Sequence, residues 1–358
     1  GGGSLGYANV LMQPSEATFS EPAWQTPLNW GEVLRPYFAL AQRMLGVVTS
    51  PRMWTSDHLL REIATEMGQG HTFKPTEVGV FFGEPGKEGQ EVPDPYFDGK
   101  GPARSGCQFC GGCMVGCWHN GKNTLVKNYL YLAEASGAQV RPESLVDDIR
   151  PLPAGQSDGA RYEVAFHSAT AWLFKPERRV RARNVIVSAG ALGTLRLLFR
   201  CREITRSLPQ ISPRLGDQVR TNSESLSGVV ARNTEIDYSE GIAITSVFHA
   251  DAVTTVEPVR YPRGSSFMRL LSGPFIEDND RGWMRLGRTL GEVLRQPVDF
   301  LETHILADWA QRSTILLVMQ NVDNRVKMRL GRSFFTLFRR NLVSQPENEF
   351  AKRIPSKL

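Results

Sequence analysis

A run of four cysteines constrains this chain more than any other feature of its sequence. Cys107, Cys110, Cys113 and Cys117 follow the spacing C-x2-C-x2-C-x3-C, which lets neighbouring thiolates converge on one soft metal centre. Three interpretations remain open: an iron–sulfur cluster, a zinc ion, and metal-free packing of small residues in a tight loop. A lone cluster would need Cys117 to bend back, or Cys201 to supply the fourth ligand.

The composition indicates a globular protein with room for two domains or one large α/β body. The chain has 358 residues, of which 41% are hydrophobic and 22% charged, which argues against disorder and against a fibrous architecture. Clustered cysteines fit a reducing compartment, so we expect a cytoplasmic location. The runs of apolar residues are too short to span a bilayer.

The charge balance argues against a nucleic-acid partner. A net charge of +5 is small, and the 42 basic residues are diluted by 37 acidic ones. The basic excess gathers near the end of the chain, as in Arg325-Val-Lys327-Met-Arg329. We interpret it as a solvated face, with contact with an anionic membrane surface as the alternative.

Hydrophobic periodicity predicts alternating helices and strands. Helices are predicted over 30–45 and from about 55 to 67, and Gly137 is expected to end a helix that starts near residue 124. Extended segments are predicted at 162–166, 171–174, 241–248 and 314–320.

Two glycine-rich segments have the character of ligand loops. The chain opens with Gly1-Gly2-Gly3-Ser4, whose backbone a ligand can approach closely. Further along, a predicted buried strand at 185–187 breaks into a turn at Gly190 and then a helix, which suits a phosphate or dinucleotide. Such a turn also occurs for packing alone.

Several stretches occur in an order that resembles the glucose-methanol-choline (GMC) family of FAD-dependent oxidoreductases, in its bacterial cholesterol-oxidase-like branch. The matching stretches are GGGSLGYAN at 1–9, PDPYF at 93–97, CQFCGGCMVGC with KNTLVKNYLYLAE at 107–134, SAGALGTLRLL at 188–198, LGDQVRTNSE at 215–224 and ITSVFHADAVTTVEPVRY at 244–261. Their combination is more specific than any single stretch. The order also implies a fragment, because the family's N-terminal GxGxxG unit and its C-terminal His and Asn pair have no counterpart here.

The resemblance implies an α/β fold, α+β overall. Residues 1–29 and 105–235 would form a doubly wound FAD-binding sheet, here incomplete. Residues 30–104 and 236–358 would form a substrate domain on a mainly antiparallel sheet. The residues that match the family's FAD site are Gly2, Gly3, Ser4, Asn9, Val146, Ala189, Gly190 and Asn222.

The resemblance also implies a reaction. A sterol-like alcohol would be oxidised by hydride transfer to FAD, with oxygen or a carrier as electron acceptor. The alternative functions are an iron–sulfur electron-transfer flavoprotein or dehydrogenase module that uses the run from Cys107 to Cys117, and a non-catalytic fragment. Glu257 resembles the carboxylate that moves a proton during double-bond isomerisation in sterol-oxidising members. From the residues alone, apolar neighbours would raise the pKa of Glu257, whereas an ion pair with Arg260 is the structural alternative.

The last three residues, Ser356-Lys357-Leu358, match a peroxisomal address. In a bacterial protein this match would carry no meaning, so the cytoplasmic expectation stands.

Overall fold

The computed structural model describes residues 2–155, 158–232, 235–274, 276, 282–305, 308–332 and 338–346. Gly1 and the terminal Ser356-Lys357-Leu358 lie outside these ranges. The chain divides into two compact units. The described residues of unit 1 lie in 2–138 and 223–321, and those of unit 2 in 139–222 and 322–346.

Helices and strands alternate along the chain. The α-helices are α1 (Gly3–Gly6), α2 (Glu16–Phe19), α3 (Trp30–Met44), α4 (Thr55–Glu66), α5 (Tyr129–Ala135), α6 (Gly190–Phe199), α7 (Gly282–Arg295), α8 (Pro297–Ile305) and α9 (Trp309–Arg312). The strands of unit 1 are β1 (Val48–Thr49), β2 (Lys74–Pro75), β3 (Glu77–Val78), β4 (Glu91–Val92), β5 (Arg104–Ser105), β9 (Glu224–Val230), β10 (Ser246–His249), β11 (Thr254–Val259) and β12 (Ser313–Gln320). The strands of unit 2 are β6 (Ser144–Pro151), β7 (Tyr162–Ser168), β8 (Arg178–Ala182), β13 (Val326–Gly331) and β14 (Asn341–Pro346).

Unit 1 is built on a five-stranded antiparallel sheet in the order β2-β10-β11-β12-β9. Helix α4 covers one face of this sheet. The core between them contains Leu60 and Ala64 from the helix and Phe248, Val256 and Val318 from the strands. Because strand residues alternate between faces, the neighbours of these core residues point to the other side of the sheet.

The two longer predicted N-terminal helices are confirmed. Helix α3 begins after Asn29, whose side chain accepts a hydrogen bond from the backbone N–H of Glu32 at 3.4 Å. It ends before Gly46, which has a φ of 58°. Helix α4 covers the second predicted range. None of the helices that the structure describes is long and apolar enough to cross a membrane.

Unit 2 contains the three-stranded antiparallel sheet β6-β7-β8 and the hairpin β13-β14. Helix α6 contacts β6, and Ile149, Leu197 and Cys201 form the buried cluster at this contact. Gly137, just before this unit, adopts a φ of 95° after α5, as predicted for a helix end.

The prediction of a mixed α/β chain is confirmed, whereas the doubly wound FAD-binding sheet is not. Every sheet formed by the described residues is antiparallel, and the parallel pairing seen there is the isolated bridge between Cys110 and Gly241. The units change at 138/139, 222/223 and 321/322, not at the predicted 29/30, 104/105 and 235/236. The division into two compact units does not show which residues bind FAD and which bind substrate. The FAD-binding and substrate domains therefore stay a prediction.

Two predicted strands are wrong. Residues 171–174 form no strand, and the third strand of the meander is Arg178–Ala182 instead. Residues 185–187 are also outside any strand, because no described strand pairs with them. Val185 and Val187 pack against the core of unit 2, whereas Ile186 points outward and is 90% exposed.

Candidate functional site

Glu257 lies at the centre of the five-stranded sheet, on the face opposite α4. It follows Val256, which points into the core under α4, so alternation turns Glu257 to the other face. Across the sheet it pairs with Leu317, which pairs with Leu226 on the edge strand. The carboxyl therefore lies in an apolar row on the second face of the sheet.

The Glu257 side chain is buried and unsatisfied. The residue is 2% exposed, and its Oε1 atom has no hydrogen-bond partner among the described residues. Burial, with a smaller contribution from the charge of Glu224, raises its pKa from 4.5 to about 7. A carboxyl with this pKa can both accept and donate a proton near neutral pH.

The alternative of an ion pair between Glu257 and Arg260 is wrong. Residues three positions apart in an extended chain point to opposite sides. The Arg260 Nη2 atom instead donates to Oδ2 of Asp57 at 2.7 Å. Arg260 is therefore committed to a different carboxylate.

Asp57 is the satisfied counterpart of Glu257. It sits in the first turn of α4, where Oδ2 also accepts the backbone N–H of Trp54 at 2.8 Å. Its Oδ1 accepts the hydroxyls of Thr245 and Ser246. Asp57 is fully buried, and the hydrogen bonds make it a structural anchor between α4 and the sheet. Sequence reasoning missed this residue, although the spacing from Trp54 is that of a helix cap.

The N-terminal glycine segment, predicted as a loop, consists of Gly2 and the one-turn helix α1, and it is called the glycine loop below. Gly2 has a φ of 105°, and no atom lies within 4 Å of a Cβ placed at Gly2 or Gly3. The Ser4 Oγ atom accepts the backbone N–H of Leu125 at 3.1 Å, which ties the loop to the segment after the cysteines. An open glycine backbone of this kind fits the close approach of a diphosphate.

Asn9 has a structural role at the end of the same loop. It is fully buried, its Nδ2 donates to the Ile244 carbonyl at 2.7 Å, and its Oδ1 accepts the Ile244 N–H at 2.9 Å. Both polar ends of the side chain are thereby engaged. Any contact of Asn9 with a flavin stays a prediction.

The remaining residues matched to the FAD site lie in unit 2. Val146 is on β6 beside a bulge, and it packs against the core of the unit. Ala189 caps α6, and Gly190 follows with a φ of 71° and open space around it. Asn222 is exposed at the end of a segment of this unit. An accessible helix N-terminus next to a glycine fits a phosphate group, so the residues present are compatible with a nucleotide in each unit taken by itself.

The cysteine run forms a tight loop around a short 3₁₀ turn over Gly112–Val115. Cys107 and Cys113 are buried, and burial raises the pKa of their thiols to about 12 and about 11. Cys110 and Cys117 are half-buried. Within the part of the chain that the structure describes, no three His, Cys, Asp or Glu side chains are grouped as metal ligands would be.

Cys201 sits elsewhere, in unit 2. Its thiol is fully buried and donates to Oδ1 of Asp148 at 3.4 Å. This hydrogen bond gives the buried Cys201 thiol a partner that is not a metal ion. The four-cysteine ligand set stays a prediction that the geometry of the described residues does not favour.

Proteins named as cholesterol oxidases match most of the chain. A cholesterol oxidase of Acinetobacter baumannii is 43% identical over 347 residues, which are 96% of this chain and 62% of that protein. The chain is similar to cholesterol oxidases. The Mycobacterium tuberculosis cholesterol oxidase (strains CDC 1551 and H37Rv) is 45% identical over 337 residues, 91% of this chain and 57% of that protein. The chain thus spans about three fifths of the length of these relatives. No protein-family model matches it.

Proposed function

We propose that this chain is part of a flavin-dependent oxidoreductase that acts on the hydroxyl group of a sterol-like alcohol. The observation that carries the proposal is Glu257, a buried carboxyl with an unpartnered oxygen and a pKa near 7. A carboxyl whose pKa is strongly raised by desolvation is a candidate for a functional site. The names of the relatives support the sterol.

FAD, when bound, supplies the acceptor for the hydride that leaves the alcohol carbon. The residues assigned to hold it are Gly2, Gly3 and Ser4 in unit 1. Ala189 and Gly190, at the start of α6 in unit 2, stay a separate prediction. Their support is the open backbone described above. No cluster or zinc ion enters the proposal.

Glu257 is assigned the proton transfer that follows oxidation. Near neutral pH its carboxylate accepts a proton from the carbon between the ketone and the double bond, and the resulting acid returns it to the far end of the double bond. The product is the conjugated ketone, with no net change in protons. Burial of Glu257 beside Leu317 keeps the carboxyl poorly solvated and basic enough for this step.

The isomerisation can be tested separately from the oxidation. The chain is given an unconjugated steroid ketone, and the rise of ultraviolet absorbance from the conjugated ketone is followed. We expect Glu257→Gln to slow the reaction about 10²- to 10⁴-fold, the usual contribution of a positioned acid–base group. Glu224→Gln, on the same face but exposed, removes only the smaller of the two causes that raise the pKa of Glu257, so as the matched control it should retain most of the rate. Equal rates for wild type and Glu257→Gln would contradict the proposal.

A further inference from the structure

Three cations lie together in unit 1 without a carboxylate. Arg104 and Lys122 are each 1% exposed, and Lys127 is half-buried. Among the described residues, none of the three forms an ion pair with an acidic side chain. The carboxylate of Asp94 favours the charged form of Arg104, but it forms no ion pair with it. Buried positive charge of this density is costly unless an anion or well-placed dipoles offset it.

Backbone carbonyls offset the charge of Lys122. Its Nζ atom donates to the carbonyls of Leu5 at 3.2 Å, Cys113 at 2.8 Å and Tyr7, and it lies 4.2 Å from the centre of the Tyr7 ring. All three ammonium protons are thereby used. Lys122 holds the glycine loop against the cysteine loop.

Arg104 is satisfied in a similar way. Its guanidinium donates to the carbonyls of Asn120 at 3.1 Å, Gly121 at 2.8 Å and Lys122 at 3.1 Å, and to the side chain of Asn123. The carbonyls orient Arg104 but carry only partial charges. Its full positive charge therefore remains in the cluster.

Lys127 differs from the other two because it retains unused donors. Its Nζ atom makes one described hydrogen bond, to the Lys122 carbonyl at 3.2 Å. The same oxygen accepts from Arg104, so the two cations lie within about 6 Å of each other, a distance at which like charges repel in a partly buried site. Burial, followed by the charge of Arg104, lowers the pKa of Lys127 to about 8.

The open glycine loop lies beside this cluster. The Ser4 hydroxyl binds Leu125, two residues before Lys127, and Lys122 binds the loop carbonyl of Leu5. The free space at Gly2 and Gly3 is thus on the segment that the cluster fixes in place. An anion with several charges is the ligand class that three cations and an exposed backbone would bind together.

We propose that Lys127, supported by the charges of Arg104 and Lys122, binds the diphosphate of the nucleotide cofactor. This inference rests on the proposed function, because it takes FAD as the bearer of the diphosphate. Lys127 is then a cofactor-binding residue that the matched FAD residues do not include.

The test compares ligands with and without the phosphates. FAD and riboflavin are titrated into the wild-type chain and into Lys127→Met, with binding followed by quenching of flavin fluorescence. We expect the substitution to weaken FAD binding about 10- to 100-fold, the loss of a charge-assisted hydrogen bond, and to leave riboflavin binding unchanged. Inorganic diphosphate should compete with FAD on the wild type and not on the variant. Circular dichroism checks that the variant folds.

Two further variants sharpen the result. Lys127→Arg keeps the charge and should restore most of the affinity for FAD. Lys100→Met removes an exposed lysine of the same unit and should have no effect. Equal FAD affinity in wild type and Lys127→Met would overturn the inference and leave the flavin proposal standing. Binding of inorganic diphosphate to the wild-type chain without any flavin binding would keep the anion site and overturn the proposed function.

Discussion

The two faces of the five-stranded sheet each bury one carboxylate, and the two differ in every other respect. Asp57 on the α4 side is 0% exposed and accepts hydrogen bonds from Arg260, Trp54 and two hydroxyls. Glu257 on the other side is 2% exposed and has an oxygen without a partner. Two side chains with the same burial thus differ in their hydrogen bonds: both oxygens of Asp57 have donors, whereas Oε1 of Glu257 has none among the described residues.

The difference shows that burial alone does not identify a functional carboxyl. A buried charge with complete hydrogen bonds contributes to the specificity of the fold. A buried carboxyl without them is costly to ionise, and its persistence in an otherwise apolar row needs another explanation. For Glu257 the explanation that we propose is proton transfer to and from a substrate.

The largest expected effect on stability comes from removing Arg260, the ion-pair partner of Asp57. Arg260→Met should lower the free energy of unfolding by about 3–5 kcal/mol, because it leaves Asp57 as an uncompensated buried charge. Urea denaturation of the chain measures this change. Arg263→Met is the matched control, since Arg263 forms an exposed pair with Asp237, and it should cost about 1 kcal/mol or less. Similar costs for the two variants would show that the buried pair is not the anchor described here.

Replacing Glu257, on the other face, is expected to change the free energy of unfolding by a smaller amount and in the opposite direction. The unfolded Glu257 carboxyl titrates near 4.5 and the folded one near 7, so between these values the folded state binds more protons. The stability it contributes is complete below pH 4.5 and is lost as the pH rises through 7. At pH 8, Glu257→Gln should therefore be more stable than wild type by up to about 3 kcal/mol, with no difference at pH 4.

Denaturation curves at the two pH values measure this difference. Glu224→Gln serves as the control, and its unfolding free energy should change by about 0.5 kcal/mol or less. A Glu257→Gln variant that is less stable than wild type at pH 8 would mean that the ionised carboxylate has a stabilising partner.

The smallest effect on stability is expected at the tip between β7 and β8 in unit 2. Trp172, Leu173 and Phe174 are 93%, 84% and 87% exposed. Replacing all three with serine should change the free energy of unfolding by only about 0.5 kcal/mol, because they bury almost no surface. The same change should raise the concentration at which the chain aggregates, as measured by light scattering. A loss of several kcal/mol would show that the tip packs against the protein.

Local features of the fold were predictable from the sequence. Helix α3 follows from apolar residues at helical spacing and from the stop at Gly46. The strand prediction for residues 171–174 failed because apolar, β-prone residues do not form a strand without a partner. The meander instead uses the charged strand Arg178–Ala182, whose pairing with β7 the apolar pattern could not reveal.

The site was predictable only in part. Glu257 could be singled out from its apolar neighbours, and the structure buries it next to Leu317 in an apolar row. The partner of Arg260 could not be predicted, because Asp57 is 203 positions away in the sequence. Lys127 was missed for the same reason, since its surroundings depend on Arg104 and on the N-terminal loop.

The most direct test of the role assigned to Glu257 is its own titration. The chain is labelled with ¹³C at the glutamate side-chain carboxyl, and the resonance that is absent from Glu257→Gln is followed with pH by NMR. A midpoint near pH 7 is the result we predict. A midpoint near 4.5 would mean that the carboxyl is solvated or paired, and it would contradict the account of Glu257 as an acid–base group.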